Sequence, residues 1–444
     1  MVGVRRCLLL VLALSVCPTH AWELYATERW RADASLNTRL GLRQGFGLNF
    51  GRGALQDFGT FNRSTGERER TDLQLALRPS LTTEFQGPAE TTLYGGVTLV
   101  AATATLDGEL SGQFARAGDQ AFDNDSAYLG LKRGVFDLSG GAQPFTVGDG
   151  FILGDGTFNQ GHDNGQYWTG AFEAWRNTAI LRINTDPVRA DVFWLKGDVD
   201  LSHARLVGFN LENSDKTRWG RIGLMGFEII EDSTLGWSGM EVWGLRGSEL
   251  HLPHWKGVRL FAEYVHQGGK SDLTGRRNDA DAWYVEPTWQ FHDWRWTPRF
   301  HYRYAHYTGD RSGTAENEEY RGLFFTLGKR DWDTWYQGEV NGEFFMFNQN
   351  QVTHMLKAKV FPDPRYAVMA MVYHHELDEP RYFGVPVSAL NWSDEVNLEI
   401  EFYPSEQLYG LVGVAWATPQ QAAQDVFGDD SQLVLELFLS WTFR

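Results

Sequence analysis

Residues 432–443 read QLVLELFLSWTF and alternate strictly between two faces. One face is apolar and consists of Leu433, Leu435, Leu437, Leu439, Trp441 and Phe443. The other face is mixed and consists of Gln432, Val434, Glu436, Phe438, Ser440 and Thr442. A period of two indicates a β-strand, and this one is longer than a typical soluble strand of about five or six residues. Its length matches a membrane-crossing strand, which needs about 9–11 residues.

The same alternation recurs along the chain. It is clear in residues 336–346, 352–361 and 394–403, and weaker in 36–42, 73–77, 190–195, 258–266 and 408–416. About 23 residues for each strand with its connection predicts an all-β fold, a single-chain transmembrane antiparallel β-barrel of about 18 strands, with a range of about 16–20. About 19 candidate strands can be counted, and bacterial barrels use an even number, so one candidate must be wrong. The pattern is ambiguous in 91–137 and 320–327.

The composition limits the protein class. The 444 residues carry a formal charge of −17, with 18 Trp and 29 Phe. So many aromatic residues exclude a disordered chain, and an acidic chain repels nucleic acid. Long charge-free apolar runs are scarce, which excludes a helical membrane protein. The sequence therefore combines a high aromatic content with a polar, acidic average.

A soluble β-sandwich or β-helix would also show alternation. The barrel is favoured by the length of the strands, by charges of both signs on the polar faces, and by aromatic residues near segment ends, where outer-membrane barrels carry interfacial girdles. These aromatic groups are Trp294 with Trp296, Trp332 with Trp335 and Tyr336, and Trp441 with Phe443.

Residues 1–21 have the features of a cleaved secretory signal. Arg5 and Arg6 precede an apolar segment of roughly ten residues, and a small residue, Ala21, stands before Trp22. Cleavage would leave residues 22–444 as the barrel, without cysteine and with a charge of −19. We therefore expect export to the outer membrane of a Gram-negative bacterium.

Charged residues in the middle of alternating strands are expected to face the lumen, because an Arg or Lys facing lipid at the midplane costs roughly 2–4 kcal/mol. The basic pore-lining candidates are Arg39, Arg78, Arg182, Arg259, Arg299, Arg303, Lys357 and Lys359. The acidic candidates are Glu263, Glu339, Glu343, Glu395, Glu399, Glu401 and Glu436. Such cations can select anions. The alternative role is structural, with opposite charges pairing to stiffen the wall.

The connections divide into short turns and long loops. Residues 362–365 and 404–406 are predicted to be periplasmic turns, and 44–70, 143–175, 267–280, 308–334 and 376–393 to be loops. The glycine-rich stretch 147–156 lies in one of these loops. Asp149, Asp155 and Asp163 are weak Ca²⁺ candidates, because their spacing matches no EF-hand. A loop that folds into or over the pore is the favoured interpretation.

Several segments resemble the alginate-export family of outer-membrane β-barrel porins. They are residues 151–156 (FILGDG), 177–180 (NTAI), 186–189 (DPVR), 333–339 (DTWYQGE) and 348–350 (NQN). The resemblance implies an 18-stranded monomeric barrel, and members of the family include a channel that passes a polyanionic uronate polysaccharide through a lumen rich in Arg and Lys. It makes Arg182, Arg299, Arg303, Lys357 and Lys359 candidates for one constriction.

The predicted function is that of a passive porin for hydrophilic solutes, with anionic saccharides or uronate polysaccharide as candidate cargo. The alternatives are a structural or gated barrel without an open pore and, less favoured, an outer-membrane hydrolase. No Gly-x-Ser-x-Gly or His-Glu-x-x-His motif is present, so no catalytic residue and no cofactor is predicted. The expected partners are the lipid bilayer, lipopolysaccharide and a small hydrophilic or saccharide solute, with no nucleic acid and a monomeric state.

Overall fold

The computed structural model describes residues 22–56, 61, 63–154, 156–157, 164–213, 219–255, 257–326 and 337–443. The predicted signal segment, 1–21, lies outside these residues. The strands in the described part are β1 (Trp22–Ala26), β2 (Trp30–Phe46), β3 (Glu69–Gln86), β4 (Thr91–Leu106), β5 (Gln120–Arg133), β6 (Phe136–Ala142), β7 (Asn177–Asn184), β8 (Val188–Lys196), β9 (Arg205–Asn213), β10 (Arg221–Glu231), β11 (Met240–His251), β12 (Val258–Gly269), β13 (Ala280–Gln290), β14 (Arg299–Tyr307), β15 (Gln351–Asp363), β16 (Tyr366–Glu376), β17 (Arg381–Tyr382), β18 (Val385–Pro386), β19 (Asn391–Ser405), β20 (Leu408–Pro419) and β21 (Gln432–Phe443).

Eighteen of these strands form a closed antiparallel barrel. Each strand from β2 to β16 pairs with the next one, β16 pairs with β19, and β19, β20 and β21 follow in order. The seam is the ladder between β2 and β21, which runs from Leu36 opposite Phe443 to Phe46 opposite Leu433. β1 extends the sheet at the start of β2, and β17 with β18 forms a separate small hairpin. The predicted fold class is confirmed.

The strands alternate in burial as the sequence predicted. In β21, Val434 and Glu436 are buried inside the barrel, whereas Leu435 points outward and is exposed. In β19, Glu395, Asn397, Glu399 and Glu401 are buried, whereas Val396, Leu398 and Ile400 are exposed. A wall with an apolar exterior of this extent requires a lipid cover. Among the described residues, no helix has the length and hydropathy needed to cross a membrane.

The long and short connections lie at opposite ends. Residues 47–68, 143–176, 270–279, 308–350 and 377–390 connect strands at one end, the long-loop end, as the sequence segments predicted. Residues 364–365 and 406–407 form tight turns at the other, the short-turn end. In outer-membrane barrels the short turns face the periplasm and the longer loops face outward. Trp294 and Trp296 are exposed beside the short-turn end, whereas Trp332, Trp335 and Tyr336 lie outside the described residues.

The structure resolves two ambiguous stretches and corrects one strand assignment. The ambiguous stretch 91–137 contains β4, β5 and the start of β6, and the described residues 320–326 of the other ambiguous stretch, 320–327, contain no regular strand. The strand predicted at 336–346 is wrong, because Gly342–Met346 is a π-helical turn that lies inside the barrel. The alternating sequence does not form a strand there, because the backbone N–H groups of Val340 and Asn341 donate to the Glu395 carboxylate, at 3.0 and 2.8 Å, instead of to a neighbouring strand.

The outward face of β20 provides a test of the membrane orientation. Val412 lies near the middle of β20 and is 47% exposed, and Val199, in the 197–204 loop, is 54% exposed. We predict that Val412→Arg destabilises the barrel in lipid vesicles and lowers its free energy of unfolding by about 2–4 kcal/mol. Val199→Arg should change the free energy of unfolding by less than about 0.5 kcal/mol. Urea titrations followed by tryptophan fluorescence measure both. Equal effects of the two substitutions would contradict the proposed lipid-facing surface.

Candidate functional site: the barrel lumen

The basic residues predicted from alternation all lie on inward-facing positions. In β2 and β3 these are Arg39 and Arg78, and in β7 and β12 they are Arg182 and Arg259. β14 contributes Arg299 and Arg303, and β15 contributes Lys357 and Lys359. Because successive side chains of a strand point to opposite faces, a single correct register assigns every one of them.

The β14–β15 pair concentrates positive charge on one part of the wall. Arg299 lies directly opposite Lys359, and His301 lies opposite Lys357. Cross-strand neighbours of this kind have Cβ atoms roughly 5 Å apart, and like charges in such pairs repel. Four of the five residues suggested for one constriction thus lie on β14 and β15, whereas Arg182 lies on β7. The proximity of the four positive side chains requires negative groups nearby.

The negative groups come from neighbouring strands. Glu286 on β13 accepts from His301 Nδ1 and Arg303 Nε, each at 2.8 Å. Glu401 on β19 accepts from Lys359 Nζ at 2.7 Å and from the Tyr403 hydroxyl at 2.8 Å. These pairs are almost completely buried. The structural role that the sequence left open thus applies to Arg303, Lys359 and Glu401, which brace the wall.

Sequence reasoning missed two buried arginines. Arg43 on β2 pairs with Asp72 and with Glu343. Arg246 on β11 donates to Glu212 and, at 2.7 Å, to Asn210. Continuing the alternation from Arg39 to Gly41 and on to position 43 would have found the first one, since all three share the inward face of one strand.

The loop between β6 and β7, described at residues 143–154, 156–157 and 164–176, folds into the barrel, as the glycine-rich stretch predicted. The side-chain oxygen of Gln74 on β3 accepts hydrogen bonds from three successive backbone N–H groups of the loop, those of Tyr167, Trp168 and Thr169, at 2.7–3.1 Å. Near this point, Glu173 pairs with Arg39 and Arg78 on the wall. The loop is therefore fastened to β2 and β3 by one amide and two guanidinium groups.

The weak calcium candidates fall at this loop. Asp149 lies inside the barrel, where the Tyr284 hydroxyl donates to its carboxylate at 3.3 Å. Asp155 and Asp163 lie outside the described residues. The described part of the chain therefore brings no carboxylate cluster together at Asp149.

A second loop, between β14 and β15 and described at residues 308–326 and 337–350, also enters the lumen and meets the first. Gly154 N donates to Phe324 O at 2.7 Å, and Thr326 N donates to Gly150 O at 3.0 Å, which joins the two loops. Gly338 sits against Glu395 with φ +112°, and a Cβ atom there would lie 2.9 Å from the carboxylate oxygens. Glycine is therefore required for this close approach.

Glu339 and Glu343 belong to this second loop and not to a strand. Both are buried in the lumen, at 6% and 4% exposure. Glu399 on β19 and Glu263 on β12 are further acidic candidates, and both are buried on the inward face of their strands. All four carboxylates lie inside the barrel, their lining of an open pore stays a prediction, and the strand assigned to Glu339 and Glu343 was wrong.

Apolar residues form two clusters around the loops inside the lumen. Phe151, Leu153 and Trp175 of the first loop and Phe324 of the second pack against inward residues of β7 to β14. A second cluster joins Phe344 and Phe345 with Trp392 on β19 and with the short α-helix Gln421–Val426. The loops are thus packed as a buried core and narrow the interior.

The second loop is also tied to its neighbour at the long-loop end. Asp378 in the 377–390 loop is 2.8 Å from His306 Nε2, and Gly309 N donates to it at 2.8 Å. Burial alone would raise the pKa of Asp378, but these hydrogen bonds outweigh burial and lower the pKa. The carboxylate therefore stays charged to a lower pH than an ordinary Asp, and the contribution of this contact to stability is lost only as the pH falls through the lowered pKa.

A cavity of about 960 Å³ opens near the short-turn end. Its wall includes Arg259, Arg299 and His301 from the barrel, and its inner limit includes Gly148 and Asp149 from the first loop. Among the described residues, no carboxylate lies within 4.0 Å of the guanidinium of Arg259 or Arg299. The Arg299 guanidinium hydrogen bonds to the neutral Gln290 side chain at 3.3 Å. These two cations therefore lack a direct ion pair at the cavity, whose lining also includes Asp149, Glu249 and Glu286.

The barrel resembles solved porin structures over nearly its whole length. OprD of Pseudomonas aeruginosa aligns with a TM-score of 0.57 and 10% identity over 96% of this chain and 99% of that chain. A BenF-like porin from Pseudomonas fluorescens Pf-5 gives 0.58 and 12% over 93% and 98%. OccK5 (OpdH) of Pseudomonas aeruginosa gives 0.55 and 12% over 93% and 98%. The chain has a porin fold.

At this level of identity the likeness concerns the fold alone. No protein-family model matches the chain, and no curated protein matches it significantly. The comparisons support an outer-membrane porin barrel in general and do not support the alginate-export family that the sequence segments suggested.

The Gln74 contact predicts how firmly the first loop is held. Gln74→Leu removes three hydrogen bonds to the loop and should release about 2–3 kcal/mol of its anchoring free energy. We expect faster protease cleavage within residues 143–176, mapped by mass spectrometry on the folded barrel. The matched control is Gln86→Leu, whose exposed side chain hydrogen bonds to Glu84 and Thr92 and not to the loop residues that the structure describes. If both variants are cleaved as slowly as the native protein, Gln74 does not anchor the loop.

Proposed function

We propose that the protein is a passive channel for hydrophilic solutes in the outer membrane of a Gram-negative bacterium. The barrel has an apolar exterior and a polar, charged interior, the arrangement that lets water and solutes cross a bilayer. Its likeness to solved porins over nearly the whole chain supports the same reading. Lipid is the partner that the exterior requires, while contact with lipopolysaccharide and a monomeric state remain predictions.

The observation that carries a solute preference is the pair of cavity arginines, Arg259 and Arg299, that have no direct ion pair in the described part of the chain. A cation in a confined aqueous space attracts anions, and guanidinium groups bind carboxylates with two hydrogen bonds. Arg303 and Lys359 are saturated by Glu286 and Glu401, so they are poor ligands for a solute. Arg259 and Arg299 are available. We infer that the cavity receives small anionic solutes, with uronates as one class to test.

A gated barrel is the second candidate, and the packing of the two loops favours it. Both loops contribute buried aromatic residues to apolar clusters inside the lumen, and such packing narrows any path. A gated channel would show long closed periods and rare openings in single-channel records, whereas an open porin conducts continuously. The distribution of open times in planar bilayers therefore separates the two.

The cavity arginines predict the ion selectivity. Replacing both Arg259 and Arg299 by Gln should shift the reversal potential in a KCl gradient toward cation preference and weaken block by galacturonate oligomers. The physical reason is the loss of two positive charges from a confined space. The matched control is Arg133→Gln, which lies on the outward face of β5. No conductance from the native protein would contradict the channel, whereas an unchanged reversal potential in the double variant would contradict only the anion preference.

A further inference from the structure

Three buried carboxylates converge where the second loop meets the seam of the barrel. Glu339 and Glu343 stand four residues apart around the π-helical turn Gly342–Met346, and Glu436 lies on the inward face of β21. One oxygen from each carboxylate lies within 4.8 Å of the other two. All three residues are at most 6% exposed. Three charged carboxylates that lie this close together and are shielded from water repel one another strongly.

The nearby cation is already committed elsewhere. Arg43 pairs with Glu343 through one guanidinium nitrogen and with Asp72 through another, at 3.3 Å. Its guanidinium also lies 4.7 Å from the centre of the Trp168 ring, which holds it in place. One positive charge thus pairs with two carboxylates, and neither Glu339 nor Glu436 forms an ion pair with it.

Glu436 supplies an independent sign that a group is bound here. Both of its carboxylate oxygens are buried, and neither has a hydrogen-bond partner in the described part of the chain. A buried, charged carboxylate without a hydrogen bond costs several kcal/mol. Glu395, two strands away, shows the contrast, since its oxygens accept from Val340 N and Asn341 N.

We propose that Glu339, Glu343 and Glu436 form a binding site for a divalent cation of the Ca²⁺ type. Ca²⁺ takes oxygen ligands at about 2.3–2.6 Å, so two ligands on opposite sides of one ion lie up to about 5 Å apart. The spacing of the three carboxylates fits that limit. Bidentate carboxylates and water complete a coordination number of about 6–8.

The bound cation ties the second loop to the closing strand of the barrel. Glu339 and Glu343 come from the second loop, and Glu436 comes from the closing strand. The Tyr167 hydroxyl of the first loop donates to the Glu343 carbonyl at 2.8 Å. The ion therefore fixes the second loop to the seam, and the Tyr167 hydrogen bond links the first loop to the same segment. Its binding does not depend on the proposed function, although any effect on conductance does.

Calcium binding to the EDTA-treated protein in detergent tests the site directly. We expect isothermal titration with CaCl₂ to show one site, and Glu436→Gln to weaken it by at least about tenfold, the loss typical of disturbing even a partner that only orients a metal ligand. Glu228→Gln is the matched control, because Glu228 is exposed on β10. Absence of calcium binding, or equal binding by the native protein and Glu436→Gln, overturns the site.

Thermal unfolding gives a second and opposite-signed readout. In EDTA, Glu436→Gln removes one repelling charge, so it should melt at a higher temperature than the native protein. With Ca²⁺ the native protein should gain several degrees and Glu436→Gln should gain almost none. Glu339→Gln serves as the second variant if Glu436→Gln does not fold, as judged by heat-modifiable gel mobility. A native melting temperature that is the same in EDTA and in Ca²⁺ contradicts the proposal.

Discussion

The ladder between β2 and β21 is the constraint on which the rest of the structure depends. In hydrocarbon, every backbone N–H and C=O needs a partner within the protein, so a sheet that faces lipid must close on itself. Eleven residue pairs make this closure, from Leu36 opposite Phe443 to Phe46 opposite Leu433. Once the ring is closed, the period of two divides each strand into a lipid face and an interior face. The high aromatic content and the polar average of the chain then have one common cause.

Closure also places cations inside the barrel that need counter-charges, and the strands supply only some of these counter-charges. Their inward faces carry arginines and lysines beside one another, as in the pairing of Arg299 with Lys359. Some partners lie on nearby strands, such as Glu286 and Glu401. Others are delivered by the inserted loops, such as Glu173 and Glu343. The loops therefore supply counter-charges and also narrow the lumen. At the cavity, Arg259 and Arg299 receive no direct ion pair from the described residues of the strands or the loops.

The barrel could be predicted because its signal is local and repeated. Twelve consecutive residues, 432–443, suffice to assign a strand and both of its faces, and the same rule places Lys357 and Arg303 inside. The rule failed at 336–346, because three hydrogen bonds to Glu395 from Val340 and Asn341, distant in sequence, replace the strand pairing. The ion-pair partners of the inward-facing charges could not be predicted from the sequence either. Arg43 meets Glu343 across 300 positions, and no local pattern encodes such a contact.

The way the first loop is fastened has a consequence for biogenesis. Gln74 and Arg78, on the second strand of the ring, have partners that lie about 95 positions later in the chain. Arg43 has a partner 300 positions later. Until those partners arrive, the concave side of a growing sheet presents bare cations and amides that only water can satisfy, while its convex side already needs lipid. A partly assembled sheet is therefore stable only at a boundary between water and membrane, which confines the intermediates of assembly to the membrane surface.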